Sequence, residues 1–245
     1  MLIQPNGLLI PTTTWGYINQ ALRAANDRPL VVFDADGTLW SGDVGETLLR
    51  TLDSEGLVTA GQQYPTLLDE YAARCELSAT DGYTWACTVM AGIDEQALLR
   101  ACQLTWERHR GCLLEGMRQI VTSMLKSDVE VVVVSASSRW IIEVAVEELG
   151  IDGDHVIAFD QDVVDGRLTD MMRHPLPNGL GKAEAINEVL GRRPCLGFGN
   201  SVHDLPMLRQ AKHAVVVLAS ADGQQFDAPL QQASHENDWP CLRLD

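Results

Sequence analysis

The sequence predicts an α/β protein, a doubly wound parallel sheet with an all-helical block inserted after its first strand. Three observations carry this. Short apolar runs at 30–33, 131–134, 156–159, 195–198 and 214–218 alternate with helical periodicities, the pattern of parallel βαβ units. From Gly45 to about Arg110 only helical periods occur. The first apolar run leads into Asp34-Ala35-Asp36-Gly37-Thr38, and open α/β sheets bind ligands at such C-terminal strand ends.

The elements follow in order. Residues 1–14 read as irregular, and Trp15, Ile18, Leu22 and Ala25 mark a helix ended by Asn26-Asp27 and Pro29. Leu30–Phe33 is the first strand. Within the helical block, Leu48, Leu49 and Leu52 form one short face and Leu68, Tyr71, Ala72 and Cys75 another, with a vaguer helix over 81–91. Asp94 reads as an N-cap with Ile93 and Leu98 as a hydrophobic staple, and Leu98, Ala101, Cys102 and Trp106 line that helix. Leu113, Met117, Ile120, Val121 and Met124 give the next face; Val131–Val134 is a strand ending in Ser135. A helix through Ile141 to Leu149 and a strand at Val156–Phe159 come next. Asp165-Gly166 is a hairpin signal, Pro175 to Gly179 a loop, and Ile186, Val189 and Leu190 a helix. Cys195–Phe198 and Ala214–Leu218 are the fourth and fifth sheet strands, and 219–245 reads as polar and irregular, pinned by Trp239. The boundaries are therefore 1–43 and 112–245 for the α/β core and 44–111 for an inserted helical cap.

The 245 residues are 46% apolar and 21% charged, as in a globular protein with one good core. Net charge is −16, which disfavours nucleic acid and anionic membranes as partners. It also repels phosphorylated molecules unless the site carries local positive charge. Met1 to Thr14 contains no Lys or Arg and no long apolar run, so neither a signal peptide nor a membrane span is expected. Six cysteines without C-x-x-C spacing read as free thiols of a cytoplasmic protein. The oligomeric state is not written in the sequence.

Two carboxylates one residue apart repel unless a cation or shared proton sits between them. Asp34 and Asp36 thus point to a metal, an acid/base pair, or both. An EF-hand is excluded, because its Gly and Glu places hold Leu39 and Gly45. Three further stretches supply complementary chemistry: Ser135 at a strand end, Lys182 opening a helix, and Gly199-Asn200-Ser201-Val202-His203-Asp204 after the fourth strand.

Together these residues resemble the haloacid dehalogenase superfamily, in the branch that includes phosphoserine phosphatase. The resemblance lies in D-x-D-G-T at 34–38, the strand ending at Ser135, Lys182 before a helix, and the acidic loop from Gly199 to Asp204, and it spans about 29–218. It implies a Rossmann-like sheet in the order 5-4-1-2-3, with the helical cap between the first two motifs and a minor insertion near Asp165-Gly166. It also implies an Mg²⁺-dependent phosphatase acting through an aspartyl-phosphate, with Asp34 as nucleophile and Asp36 as acid/base. Thr38, Ser135, Ala136 and Lys182 would hold the phosphoryl group. Asp34, the Asp36 carbonyl, Asn200 and, through water, Asp204 would serve the metal. The family commonly has Asp where this chain has Asn200, and His203 stands where Asn is frequent. Asp43, nine residues after the nucleophile, matches a family position that contacts a substrate amine; Glu46 is a second candidate and Arg74 a possible carboxylate reader. A small phosphomonoester is the implied substrate, and Asp43 and Glu46 hint at an amine-bearing one such as phosphoserine. A phosphotransferase or mutase on the same scaffold, and a non-catalytic binding module, remain alternatives.

Overall fold

The computed structural model describes residues 2–5, 7–25, 28–219 and 228–244. Its centre is a six-stranded sheet in the order β3-β2-β1-β6-β7-β8. The strands are β1 (Leu30–Phe33), β2 (Glu130–Ser138), β3 (Val156–Phe159), β6 (Leu196–Gly199), β7 (His213–Ala219) and β8 (Cys241–Leu244), and each neighbouring pair is parallel. The five expected strands stand in the expected order. Beyond them the expectation for 219–245 is corrected: a helix, α10 (Ala228–Glu236), and the edge strand β8 follow β7. Leu242 and Leu244 alternate with exposed residues in a half-buried edge strand, a pattern too short to stand out by period alone. Trp239 is buried, as expected of a pin. Asn26 and Asp27, read as helix-ending, lie outside the described residues.

β1 is fully buried because β2 and β6 flank it and helices cover both faces. Val31 and Phe33 face one layer and Leu30 and Val32 the other, as the two-residue side-chain period requires. On the first side lie α1 (Thr12–Arg23), α6 (Glu115–Leu125) and α7 (Arg139–Glu147). On the second lie α8 (Leu180–Leu190), α9 (Leu205–Gln210) and α10. Phe33 and Phe198 stack at 4.4 Å with their planes 3° apart, locking β1 to β6 directly below the acid-bearing turn.

The stretch between β1 and β2 contains α2 (Val44–Ser54), α3 (Leu67–Leu77), α4 (Ala79–Thr88) and α5 (Glu95–His109), and no strand among its described residues. Asp43, Thr66, Ser78 and Asp94 cap these four helices through side-chain bonds to backbone N–H groups. Leu98, Ala101, Cys102 and Trp106 are buried as their spacing predicts. In α3 the face is different: Leu67 and Glu70 are the buried pair. Glu70 is drawn in by the Gly61 N–H and Arg74, which a hydrophobicity period cannot register. Gly82 lets α4 press on α3, since a Cβ there would strike Cys75.

β4 (Gln161–Val164) and β5 (Arg167–Met172) form the expected hairpin. Both turn residues, Asp165 and Gly166, have positive φ, as a two-residue primed turn demands. All six cysteines are free, with Cys87, Cys102 and Cys195 buried. Among the described residues no helix is long and apolar enough to cross a membrane.

Phe198→Ala is expected to lower stability by about 3–5 kcal/mol, read by urea unfolding. A loss under about 1 kcal/mol would contradict this packing.

Candidate active site

β1, β2 and β6 end at one edge, so their terminal residues meet. Asp34 follows β1 with its backbone N–H bonded to the Phe198 carbonyl, fixing it to the end of β6. Its Oδ1 accepts from Lys182 Nζ at 2.5 Å, and its Oδ2 accepts from Thr38 Oγ1 at 2.9 Å. Lys182 Nζ also donates to Asp204 Oδ1 at 2.6 Å. Asp34, Lys182 and Asp204 are all buried. An ammonium taken from water needs such anionic partners.

One ammonium serving two carboxylates leaves an excess of negative charge. Burial and then the Asp204 charge push Asp34 up to about 7, against the opposing pull of Lys182. Burial draws Lys182 down, but Asp204 and Asp34 outweigh it and hold the ammonium above its usual range. The lysine therefore stays charged.

Lys182 reaches this point because Gly181 precedes it. A Cβ at Gly181 would run into the Leu176 carbonyl oxygen, so the loop closes tightly and turns the lysine inward. Asp204 is fixed differently. Its Oδ2 accepts from the Asn200 and Ser201 N–H groups, both at 3.0 Å, and from Ser201 Oγ at 3.2 Å, within a capping box. Asp204, expected to serve a metal through water, has its carboxylate engaged by Lys182 and its own loop. At Gly199 a Cβ would meet the Asp204 side chain at 2.6 Å, so glycine makes room for this turn.

Asp36 points the other way. Its Oδ1 accepts from Trp40 Nε1 at 2.8 Å and from the Val44 N–H at 2.7 Å, at the start of α2; its Oδ2 accepts from Ser137 Oγ at 2.7 Å. Ser137 and Trp40 are partners that sequence reasoning missed. Trp40 stands four residues after Asp36, a spacing that could have signalled the bond. Ser137 had no such signal, because β2 runs on to Ser138 rather than stopping near Ser135. Ser135 is buried and its Oγ accepts from the Ser137 N–H at 3.0 Å. Thr38 Oγ1 lies 3.4 Å from Asn200 Oδ1, tying the first turn to the last loop.

These groups line a cavity of about 440 Å³ between the sheet edge and the helices after β1. Asp34, Asp36, Ser135, Ala136, Lys182, Asn200 and Asp204 form its floor; Asp43, Glu46, Tyr71 and Tyr83 stand on the helical side. Thr38 lies beneath Asp34 and does not line the cavity. Asp43 caps α2 through the Glu46 N–H at 2.8 Å. It is part-exposed to the cavity and enclosed by protein around it; burial and then the Asp36 charge push its carboxyl well above the usual carboxylate range. Arg74 is not brought to the site: it pairs with Glu70 at 2.7 Å and lies over the Trp85 ring. His203 lines the cavity with its ring edge-on to Tyr83.

The haloacid dehalogenase-like hydrolase model matches residues 31–209. The chain belongs to that family. Within it, the chain is similar to two phosphoserine phosphatases. Phosphoserine phosphatase of Halobacterium salinarum is 28% identical over 77% of this chain and 85% of its own length. Phosphoserine phosphatase SerB2 of Mycobacterium tuberculosis is 27% identical over 74% of this chain, a match spanning only 42% of that relative. A protein of unknown function from Bordetella pertussis Tohama I superposes with a TM-score of 0.75 at 18% identity, over 88% of this chain and 98% of that one. A substrate-bound phosphoserine phosphatase superposes at 0.55 with 17% identity, over 79% and 87%. At these identities the two structures share the fold.

Lys182→Met leaves two buried carboxylates facing each other. It is expected to cost about 3–5 kcal/mol in urea unfolding. Adding Asp204→Asn is expected to return part of that loss; additive losses would argue against the pair.

Proposed function

We propose that the protein is a cytoplasmic Mg²⁺-dependent phosphatase that hydrolyses a small phosphomonoester through an aspartyl-phosphate on Asp34. One observation carries the reading: Lys182 Nζ stands 2.5 Å from Asp34 Oδ1 in a buried, largely anionic pocket at the end of the central strand. A nucleophilic carboxylate beside a fixed cation is what phosphoryl transfer requires. Similarity to phosphoserine phosphatases adds to it. The helices at 44–111 act as a cap that confines the substrate, and the cavity suits a small molecule.

Asp34 attacks phosphorus as the ester P–O bond breaks, and the electron pair leaves on the alcohol oxygen. Asp36 supplies that oxygen with a proton. Asp36, now a carboxylate, takes a proton from water, whose oxygen attacks the phosphoryl group and frees Asp34. Ser137 suits Asp36 in both states, because a hydroxyl donates to a carboxylate and accepts from a carboxylic acid. Lys182, Ser135 and the Ala136 backbone hold the phosphoryl oxygens.

The residues present fit a magnesium ion. The donor set is oxygen only: the Asp34 carboxylate, the Asp36 carbonyl and the Asn200 amide oxygen. Among the described residues no group of three or more His, Cys, Asp or Glu side chains is placed to hold a metal ion, so side-chain carboxylates alone do not make the site. Mg²⁺ fits such a site because it is bound by one or two carboxylates plus water and phosphate oxygens. Bound there, it would offset the surplus of negative charge and polarise the phosphoryl group.

Phosphate release from an aryl phosphate is expected to need Mg²⁺, to stop with EDTA and to fall at least about a thousandfold in Asp34→Asn. Activity surviving that change would exclude Asp34 as nucleophile. Asn200→Asp adds a full charge, and is expected to lower the Mg²⁺ needed for half-maximal rate by about tenfold. An unchanged titration would remove Asn200 from the metal site.

A further inference from the structure

The substrate end of the cavity differs from what a phosphorylated amino acid needs. A carboxylate on the substrate calls for a cationic reader. Among the lining residues the cationic side chains are Lys182, spent on Asp34 and Asp204, and the titratable His203. Arg74 is withdrawn to Glu70 and Trp85. The helical wall instead presents the Asp43 and Glu46 carboxylates, and no described cation pairs with either. Beside them stand Tyr71 and Tyr83, their rings stacked with centroids 6.3 Å apart. Carboxylates without a protein counter-ion, next to aromatic faces, form a receptor for an organic cation. They repel an anion.

We propose that the substrate is the phosphate monoester of an amino alcohol, with an ammonium held by Asp43, Glu46, Tyr71 and Tyr83 and no carboxylate. This rests on the phosphomonoesterase reading above and goes further by excluding the amino-acid ester. The charges agree. Asp34, Asp36, Asp43, Glu46 and Asp204 crowd beside one lysine in a single cavity, and a bound cation favours the ionised form of the raised Asp43 carboxyl. A phosphate group adds to that excess, whereas an ammonium on the same molecule offsets it where the wall is most anionic. The space, about 440 Å³, takes a short aminoalkyl chain with its phosphate.

The test compares kcat/KM for phosphoethanolamine, phosphocholine, phosphoserine and propyl phosphate, with aryl phosphate as the reference for phosphatase chemistry. An amino-alcohol ester is expected to exceed both propyl phosphate and phosphoserine by about tenfold or more. Glu46→Gln and Asp43→Asn are expected to shrink the ratio of amino-alcohol ester to propyl phosphate severalfold; a ratio cancels any general loss of folded enzyme. Phosphoserine preferred, or propyl phosphate equal to the amine, would overturn the proposal while leaving the phosphatase intact. Preference for phosphoserine that vanishes in His203→Gln would identify His203 as a carboxylate reader and overturn it in the same way. Absence of aryl phosphate hydrolysis would instead fell the phosphatase reading. Calorimetric binding of the same four esters to the Asp34→Asn protein reads the preference without turnover, and equal binding of amine and propyl esters would overturn the proposal there too.

Discussion

A buried ammonium shared by two buried carboxylates is the constraint around which this molecule is arranged. Taking Lys182 out of water costs several kcal/mol. Asp34 and Asp204 offset that cost by standing 2.5 and 2.6 Å away. The pairing of β1 with β6 brings Asp34 and the loop bearing Asp204 together, and α8 delivers Lys182 between them. Local chemistry then holds each in place. Gly181 lets the lysine loop close, Gly199 leaves space for Asp204, and the N–H groups of Asn200 and Ser201 orient the Asp204 carboxylate. The Phe33–Phe198 stack sits under the arrangement and resists any slip between the two strands.

A second set of bonds joins the sheet edge to the helices that follow it. Asp36 accepts from Trp40 and the Val44 N–H on one oxygen and from Ser137 on the other. Val44 opens α2, so the start of that helix is fastened to a residue of the central turn. Negative charge at a helix N-terminus is favourable and Asp36 supplies it, while Asp43 caps the first turn through the Glu46 N–H. Gly45 allows the approach, since a Cβ there would lie 3.0 Å from Ser137 Oγ and 3.1 Å from Asp43 Oδ1. The position of the helical wall is thereby tied to the carboxyl proposed to move the proton.

Much of this was legible in the sequence, and for a physical reason. Val31–Phe33 and Val131–Val134 are continuous apolar runs, and strands buried on both faces leave that signature. Asp34, Ser135 and Asn200 sit at or just beyond the ends of apolar strand runs, where spacing along the chain reports the topology. What stayed hidden was set by contacts that hydrophobicity does not encode. β8 alternates over four residues, too few for a period. The buried face of α3 includes Glu70, satisfied by Gly61 and Arg74, and that pairing removes Arg74 from the cavity. β2 carries three serines past its apolar stretch, and Ser137 owes its role to a partner 101 residues away.

The distribution of charge gives the last step. A protein of net charge −16 discourages anions over its whole surface. Its cavity does not reverse that field, because Lys182 is already neutralised by its partners. On the proposed reading, affinity for a phosphate ester would come from a bound divalent ion, from hydroxyl and backbone donors on the floor, and from positive charge that the ligand itself brings. The first two would serve any phosphomonoester alike. Discrimination would then fall to the wall, where Asp43 and Glu46 line the cavity. Like-charge juxtaposition is an economical way to refuse a competitor: the carboxylates that welcome an ammonium turn away an ester bearing an additional anion.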